Sequence, residues 1–234
     1  TPGRAQTGLL VEAVGPDGAT VLVDCGSGVL GALGPDCETV GTVLLTHHHI
    51  DHVADLLPLL KARWLAGCDP LPVVGPPGTA DLLAGLLDAH DYLRGRIDYE
   101  VREVELPGFE LAGATVRARE TAHSMQSFAY RFGDALAVSG DTEADPDLAA
   151  WADGVAALVH DCSFPDGVAV SNHPTPTALG EALAGNEFGT VYLTHFYPHA
   201  RGREREMAAT VRERYGGEVR PAEDGLTVEL SETT

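Results

Sequence analysis

Positive charge is scarce in this chain: Lys61 is its only lysine, and 15 basic residues stand against 35 acidic ones for a formal net charge of -20. Long nucleic acids are held by neutralising phosphates with Lys and Arg. A long nucleic acid is therefore disfavoured as partner, and a small-molecule substrate fits better. The arginine cluster RGRERE (201–206) is mixed in charge and reads as a solvated helix face. CxxC pairs are also missing. Cys25, Cys37, Cys68 and Cys162 are scattered, which excludes zinc-ribbon spacing and argues against a disulfide framework. Unpaired structural thiols fit a reducing compartment, so a cytoplasmic location is expected. No apolar run approaches the roughly 20 residues needed to cross a bilayer, so no membrane partner is expected. The opening TPGRAQTGLL has neither a basic n-region nor an apolar h-region, so no signal peptide is expected there, and it lacks an initiator Met. Neither an internal repeat nor a long linker divides the chain, which reads as one domain over residues 1–234.

What is present is an alternation of short apolar runs and helical patterns. Strands are expected at 8–14, 20–24, 42–46, 72–75, 99–105, 115–121, 127–132, 135–140, 155–161, 190–195 and 226–230. Helices are expected at 51–65, 78–94, 145–151, 175–185 and 201–215. The hairpins of the middle region break a uniform βαβ rhythm. A layered α/β sandwich is thus favoured over a doubly wound sheet.

One stretch carries more chemistry than the rest. TVLLTHHHIDHVADL (42–56) places His47, His48, His49, Asp51 and His52 within six positions, directly after a buried strand. Strand-end loops are where α/β proteins keep their sites. In extended chain, alternate side chains point the same way. His47 and His49 therefore share a side with Asp51, while His48 faces away. With the helix starting at Asp51, His52 turns back to the same cavity. The pattern offers two metal pockets, His47 with His49 and Asp51 with His52. Imidazole with carboxylate suits zinc, and also manganese or iron.

H-x-H-x-D-H resembles the signature of the metallo-β-lactamase superfamily, and later segments resemble it in order: TAHSMQS with His123, AVSGDTE with Asp141, and VYLTHFYP with His195. The resemblance implies a four-layer αββα sandwich with two divalent metal ions, zinc foremost and manganese(II) or iron(II) as alternatives. By transfer, His47, His49 and His123 would hold one ion and Asp51, His52 and His195 the other, with Asp141 bridging. A histidine at 49, where oxygen-reducing di-iron relatives carry Glu, favours hydrolysis over redox chemistry.

SGDT, LTHF and VHDCSFPDG followed by SNHPTPTALGEALA are similar to the branch containing ribonuclease Z and small phosphodiesterases. That match implies a leaving-group or phosphoryl role for His173, with Asp161 orienting it where the branch has Glu. In VLVDCGSG, Asp24 is expected to anchor the loop under the metals, and Cys25 to be structural. A homodimer is implied by resemblance only. Two departures, together with the charge, argue against tRNA maturation. No insertion could form the branch's basic tRNA-clasping arm, and FYPHARGRE replaces its usual Ser and Arg-Tyr pair.

The expected activity is two-metal hydrolysis of a small or cyclic nucleotide-type phosphodiester by a metal-bridging hydroxide, with Asp51 orienting the nucleophile while remaining a ligand. The alternatives are a lactone or thioester hydrolase at the same centre, and a metal-stabilised binding protein without turnover.

Overall fold

Short Val- and Leu-rich runs cannot bury their apolar faces alone, and here they pair into two sheets flanked by helices. The computed structural model describes residues 3–230. The chain divides into two units: Gly3–Glu105 with Phe109–Ala114, and Leu106–Gly108 with 115–230.

In the first unit, β1 (Leu9–Val14) and β2 (Ala19–Val23) form an antiparallel pair, and β3 (Thr42–Leu44), β4 (Leu71–Gly75) and β5 (Tyr99–Glu103) add in parallel. Parallel neighbours require crossovers. These are supplied by α1 (Val29–Leu33), by α2 (Ile50–Val53) with α3 (Leu56–Ala66), and by α4 (Thr79–Ala89). Every residue of β3 is buried, and Leu22, Val43, Leu45, Leu56, Leu59, Val73 and Leu83 form the core around it. The histidine stretch leaves the end of this central strand.

After β6 (Gly108–Leu111), whose Phe109–Leu111 belong to the first unit, the second unit carries β7 (Ala114–Glu120), β8 (Phe128–Phe132), β9 (Leu136–Val138), α5 (Pro146–Ala152), β10 (Ala157–Asp161), α6 (Pro176–Leu183), β11 (Thr190–Thr194), α7 (Glu204–Tyr215) and β12 (Val219–Pro221). Strands run in the order β12-β11-β10-β9-β8-β7, parallel from β12 to β9 and antiparallel from β9 to β7. Ala157 pairs with Thr190 and Asp161 with Thr194, so β10 and β11 end flush. Asp161 and His195 consequently emerge at one sheet edge, the carboxyl ends where α/β sheets bind ligands.

Three expectations need correction. The helix expected over 51–65 is two helices. Pro58 has no N–H and its ring would meet the carbonyl of residue 54 in a continuous helix. The Asp55 N–H instead donates to the Cys25 carbonyl at 2.9 Å. The helix expected to 94 ends at Ala89, with a single 3-10 turn at Asp91–Leu93 beyond it. The strand expected at 226–230 forms no ladder, because β12 at Val219–Pro221 already occupies the position beside β11. β6 had no expectation at all. Its GFEL is too short to display a period.

Candidate metal centre

The first unit arranges its histidines around one buried carboxylate. Asp24, at the end of β2 with a left-handed φ of 60°, is 1% exposed. It accepts the Thr46 N–H at 2.8 Å, the Thr46 hydroxyl at 2.8 Å and His52 Nδ1–H at 2.8 Å. Since Thr46 gives its own proton to Asp24, its oxygen can only accept from His47 Nδ1, 3.0 Å away. Both rings thereby carry their proton on Nδ1 and their lone pair on Nε2. His47 Nε2 lies 3.1 Å from His49 Nδ1. Two imidazole nitrogens on one tetrahedral zinc at ~2.0–2.1 Å stand roughly 3.3 Å apart. His48 turns away as its phase requires. Its Nε2–H donates to Thr79 Oγ1 at 2.8 Å, and Thr79 in turn donates to the Pro76 carbonyl. Burial pushes the His48 pKa down, so this ring stays neutral.

Cys25 lies below this loop, fully buried, with its N–H donating to the His52 carbonyl at 2.7 Å. Burial, with Asp55 and Asp24 nearby, holds its thiol far above the ordinary range, so the reactive thiolate is unavailable. Gly26 has no alternative at its position. An added Cβ would come 2.0 Å from the Asp51 carbonyl oxygen.

The second unit gathers four further groups. Asp141, Asp161, His173 and His195 each offer a ligand atom, all within 4.8 Å of one another. His123 Nδ1–H donates to the Asn172 carbonyl at 3.1 Å, and His195 Nδ1–H to Ser163 Oγ at 2.8 Å. Nε2 is again the lone-pair nitrogen of both rings. These two nitrogens stand 3.9 and 3.4 Å from the same Asp141 oxygen, Oδ2. Two lone pairs turned towards a buried carboxylate oxygen repel it unless a cation lies among them. The donor set, borderline imidazole with hard carboxylate and the Nδ1 of His47, His52, His123 and His195 held by the protein, therefore fits divalent metal ions.

Beside it, His173 Nδ1–H donates to Asp161 Oδ2 at 2.7 Å, while Asp161 Oδ1 accepts the Ser163 hydroxyl at 2.5 Å. Ser163 thus links His195, through Asp161, to His173. Sequence reading missed both Ser163 and Thr46. A loop hydroxyl has no spacing signature, although each immediately neighbours or follows a motif residue that was singled out. His160, on β10 itself, is a core histidine. Burial lowers its pKa and its Nδ1–H donates to the Asp161 carbonyl at 2.8 Å. Among the described residues no helix is long and apolar enough to cross a membrane, and all four cysteines are unpaired thiols.

Comparison with known proteins gives these two histidine–carboxylate sets a lineage. Residues 19–196 match the family model described as Beta-lactamase superfamily domain. A curated relative, ribonuclease Z of Mycobacterium avium (strain 104), is 32% identical over 95% of this chain and 91% of its own length. Among solved structures, the metallo-β-lactamase fold protein YhfI from Bacillus subtilis matches with a TM-score of 0.82 at 22% identity, over 98% of this chain and 94% of the other. The short form of human tRNase Z matches with a TM-score of 0.75 at 18% identity, over 99% and 95%. The structural likenesses give the metallo-β-lactamase fold. Together with the family model and a relative this similar over nearly its whole length, they place the chain in the metallo-β-lactamase superfamily, in its ribonuclease Z-like branch, as a metal-dependent hydrolase.

Proposed function

We propose that this protein is a phosphodiesterase acting on a small or cyclic nucleotide-type substrate, its two units serving one hydrolase domain over residues 1–234. His47, His49 and His123 would hold one divalent ion, and Asp51, His52 and His195 the other, with Asp141 shared. Zinc suits these donors best. When bound, such ions lower the pKa of water and polarise a phosphoryl oxygen.

The chain's own groups supply the rest. Asp24 and Thr46 hold the tautomers of His47 and His52, and Ser163 and the Asn172 carbonyl hold those of His195 and His123. Asp51 orients the attacking water while remaining a ligand. Asp161 fixes His173 through Nδ1, so Nε2 is the atom that hands a proton to the departing oxygen. The observation that carries this reading is the 2.7 Å Asp161–His173 pair beside Asp141 and His195. A thioester hydrolase, which expels a thiolate, has less use for a separately held proton donor than a phosphodiesterase expelling an alkoxide.

The ribonuclease Z relatives favour a second reading, an RNA substrate. Against it stand the net charge of -20 and a single lysine. A substrate panel tests both: cyclic nucleotides, bis-p-nitrophenyl phosphate, a precursor tRNA, lactones and acyl thioesters. Turnover of the first two without tRNA cleavage is expected. Efficient cleavage of the precursor would establish the second reading, and lactone or thioester turnover alone would overturn both.

A further inference from the structure

Two aromatic side chains stand beside His173 without any part in the chemistry above. Phe164 follows β10 and Tyr197 follows β11, and their rings lie parallel, with centroids 4.8 Å apart and planes 15° from each other. Tyr197 is 5.4 Å from the His173 ring and 5.2 Å from that of His195. Phe164 is 6.0 Å from His173 and 5.4 Å from the exposed His199.

A filler role is the plain explanation for such rings, and the packing argues against it. The core cluster of this unit takes their neighbours Cys162, Phe196 and Ala200 but neither Phe164 nor Tyr197, and both rings are half-buried. They pack on imidazoles at the site instead. Their backbones are also held. Each precedes a proline, Pro165 or Pro198, which restricts it to extended conformations, and Tyr197 sits at φ -74°, ψ 166°. The Tyr197 N–H donates to the Ser163 carbonyl at 3.1 Å, tying the two loops together. A stack whose backbone is fixed beforehand loses little freedom when a third ring joins it.

We infer that Phe164 and Tyr197 form a stacking subsite for an aromatic ring on the leaving-group side of the substrate, a nucleobase in particular. The side follows from His173, whose outward Nε2 marks where the departing oxygen sits. The inference rests on the phosphodiester reading for the position of that oxygen, and the stacking itself can be measured without turnover. Any base offers a π-face, so this subsite selects nucleotides over sugar phosphates without selecting one base.

The test is calorimetric binding of adenosine 5′-monophosphate and of ribose 5-phosphate to the zinc-loaded full chain. The nucleotide is expected to bind at least about tenfold more tightly, within the range of a single base stack. Phe164→Leu and Tyr197→Leu, which keep volume but remove the π-face, should each erase most of that ratio, whereas Phe164→Tyr should keep it. Equal affinities in the wild-type protein would overturn the subsite, as would Leu variants that weaken both ligands equally. If the Leu variants do not fold, the wild-type ratio and the Phe164→Tyr variant decide. A nucleotide preference in a protein that hydrolyses no phosphodiester would uphold the subsite and sink the proposed function, so the two fail separately.

Discussion

His173 and Asp161 form a pair whose value depends on what leaves. An alkoxide departs poorly without a proton, whereas p-nitrophenolate departs unaided. His173→Ala is expected to lower kcat on a cyclic nucleotide by ~10²–10⁴-fold, the usual span for a general acid. Its effect on bis-p-nitrophenyl phosphate should be several-fold at most, and equal losses on both substrates would remove His173 from the proton-transfer role. The neighbouring histidines of the first unit separate just as sharply. His48→Ala should retain nearly all its metal by atomic emission, because His48 answers to Thr79, whereas His49→Ala should lose about one ion of two. Alternation along an extended chain was enough to distinguish these residues, since side-chain phase there depends on nothing distant. Thr46 and Ser163 were not legible. A hydroxyl orienting an imidazole is defined by where two separate segments meet, and their separation in sequence carries no period.

At the scale of elements, the close approach of the β2 end to the histidine loop fixes both. Gly26→Ala places a methyl against the Asp51 carbonyl, and carbonyl oxygen on the backbone cannot swing aside. A loss of about 1–3 kcal/mol in urea unfolding is expected, typical of overpacking, together with reduced metal content. An unchanged midpoint and full metal would show that the loop can shift. Most strands and helices were legible because each carries its own period, as in the alternating burial of β7. Two of the failures share one cause, partnership. The LTVEL run has strand chemistry but no strand beside it, and the break at Asp55 depends on the Cys25 carbonyl as well as on Pro58, which alone gave a local warning.

For the whole molecule, charge and metal dominate. A chain with a net charge of -20 repels an anionic substrate over a distance that salt shortens, about 30 Å at 0.01 M to about 8 Å at 0.15 M. The kcat/KM for a cyclic nucleotide should therefore rise with ionic strength over this range, opposite to a protein that captures nucleic acid through a basic surface. A fall would point to a local cationic patch outweighing the total. Stripping the metal by chelation should lower Tm, because ions bound only by the folded state stabilise it by mass action. Unchanged melting would mean the histidine–carboxylate sets bind no ion strongly. The flush ending of β10 and β11 has a further consequence, for evolution. Asp161 and His195 leave the sheet together because Asp161 is paired with Thr194. A slip of one residue would turn either to the opposite face, so descent can lengthen the loop between Pro165 and Ser171 but must preserve the strands, and the Ser163 and His173 contacts, to the residue. Diversity in this lineage should accumulate as loop growth beyond the sheet edge, with the ladder itself inherited unaltered.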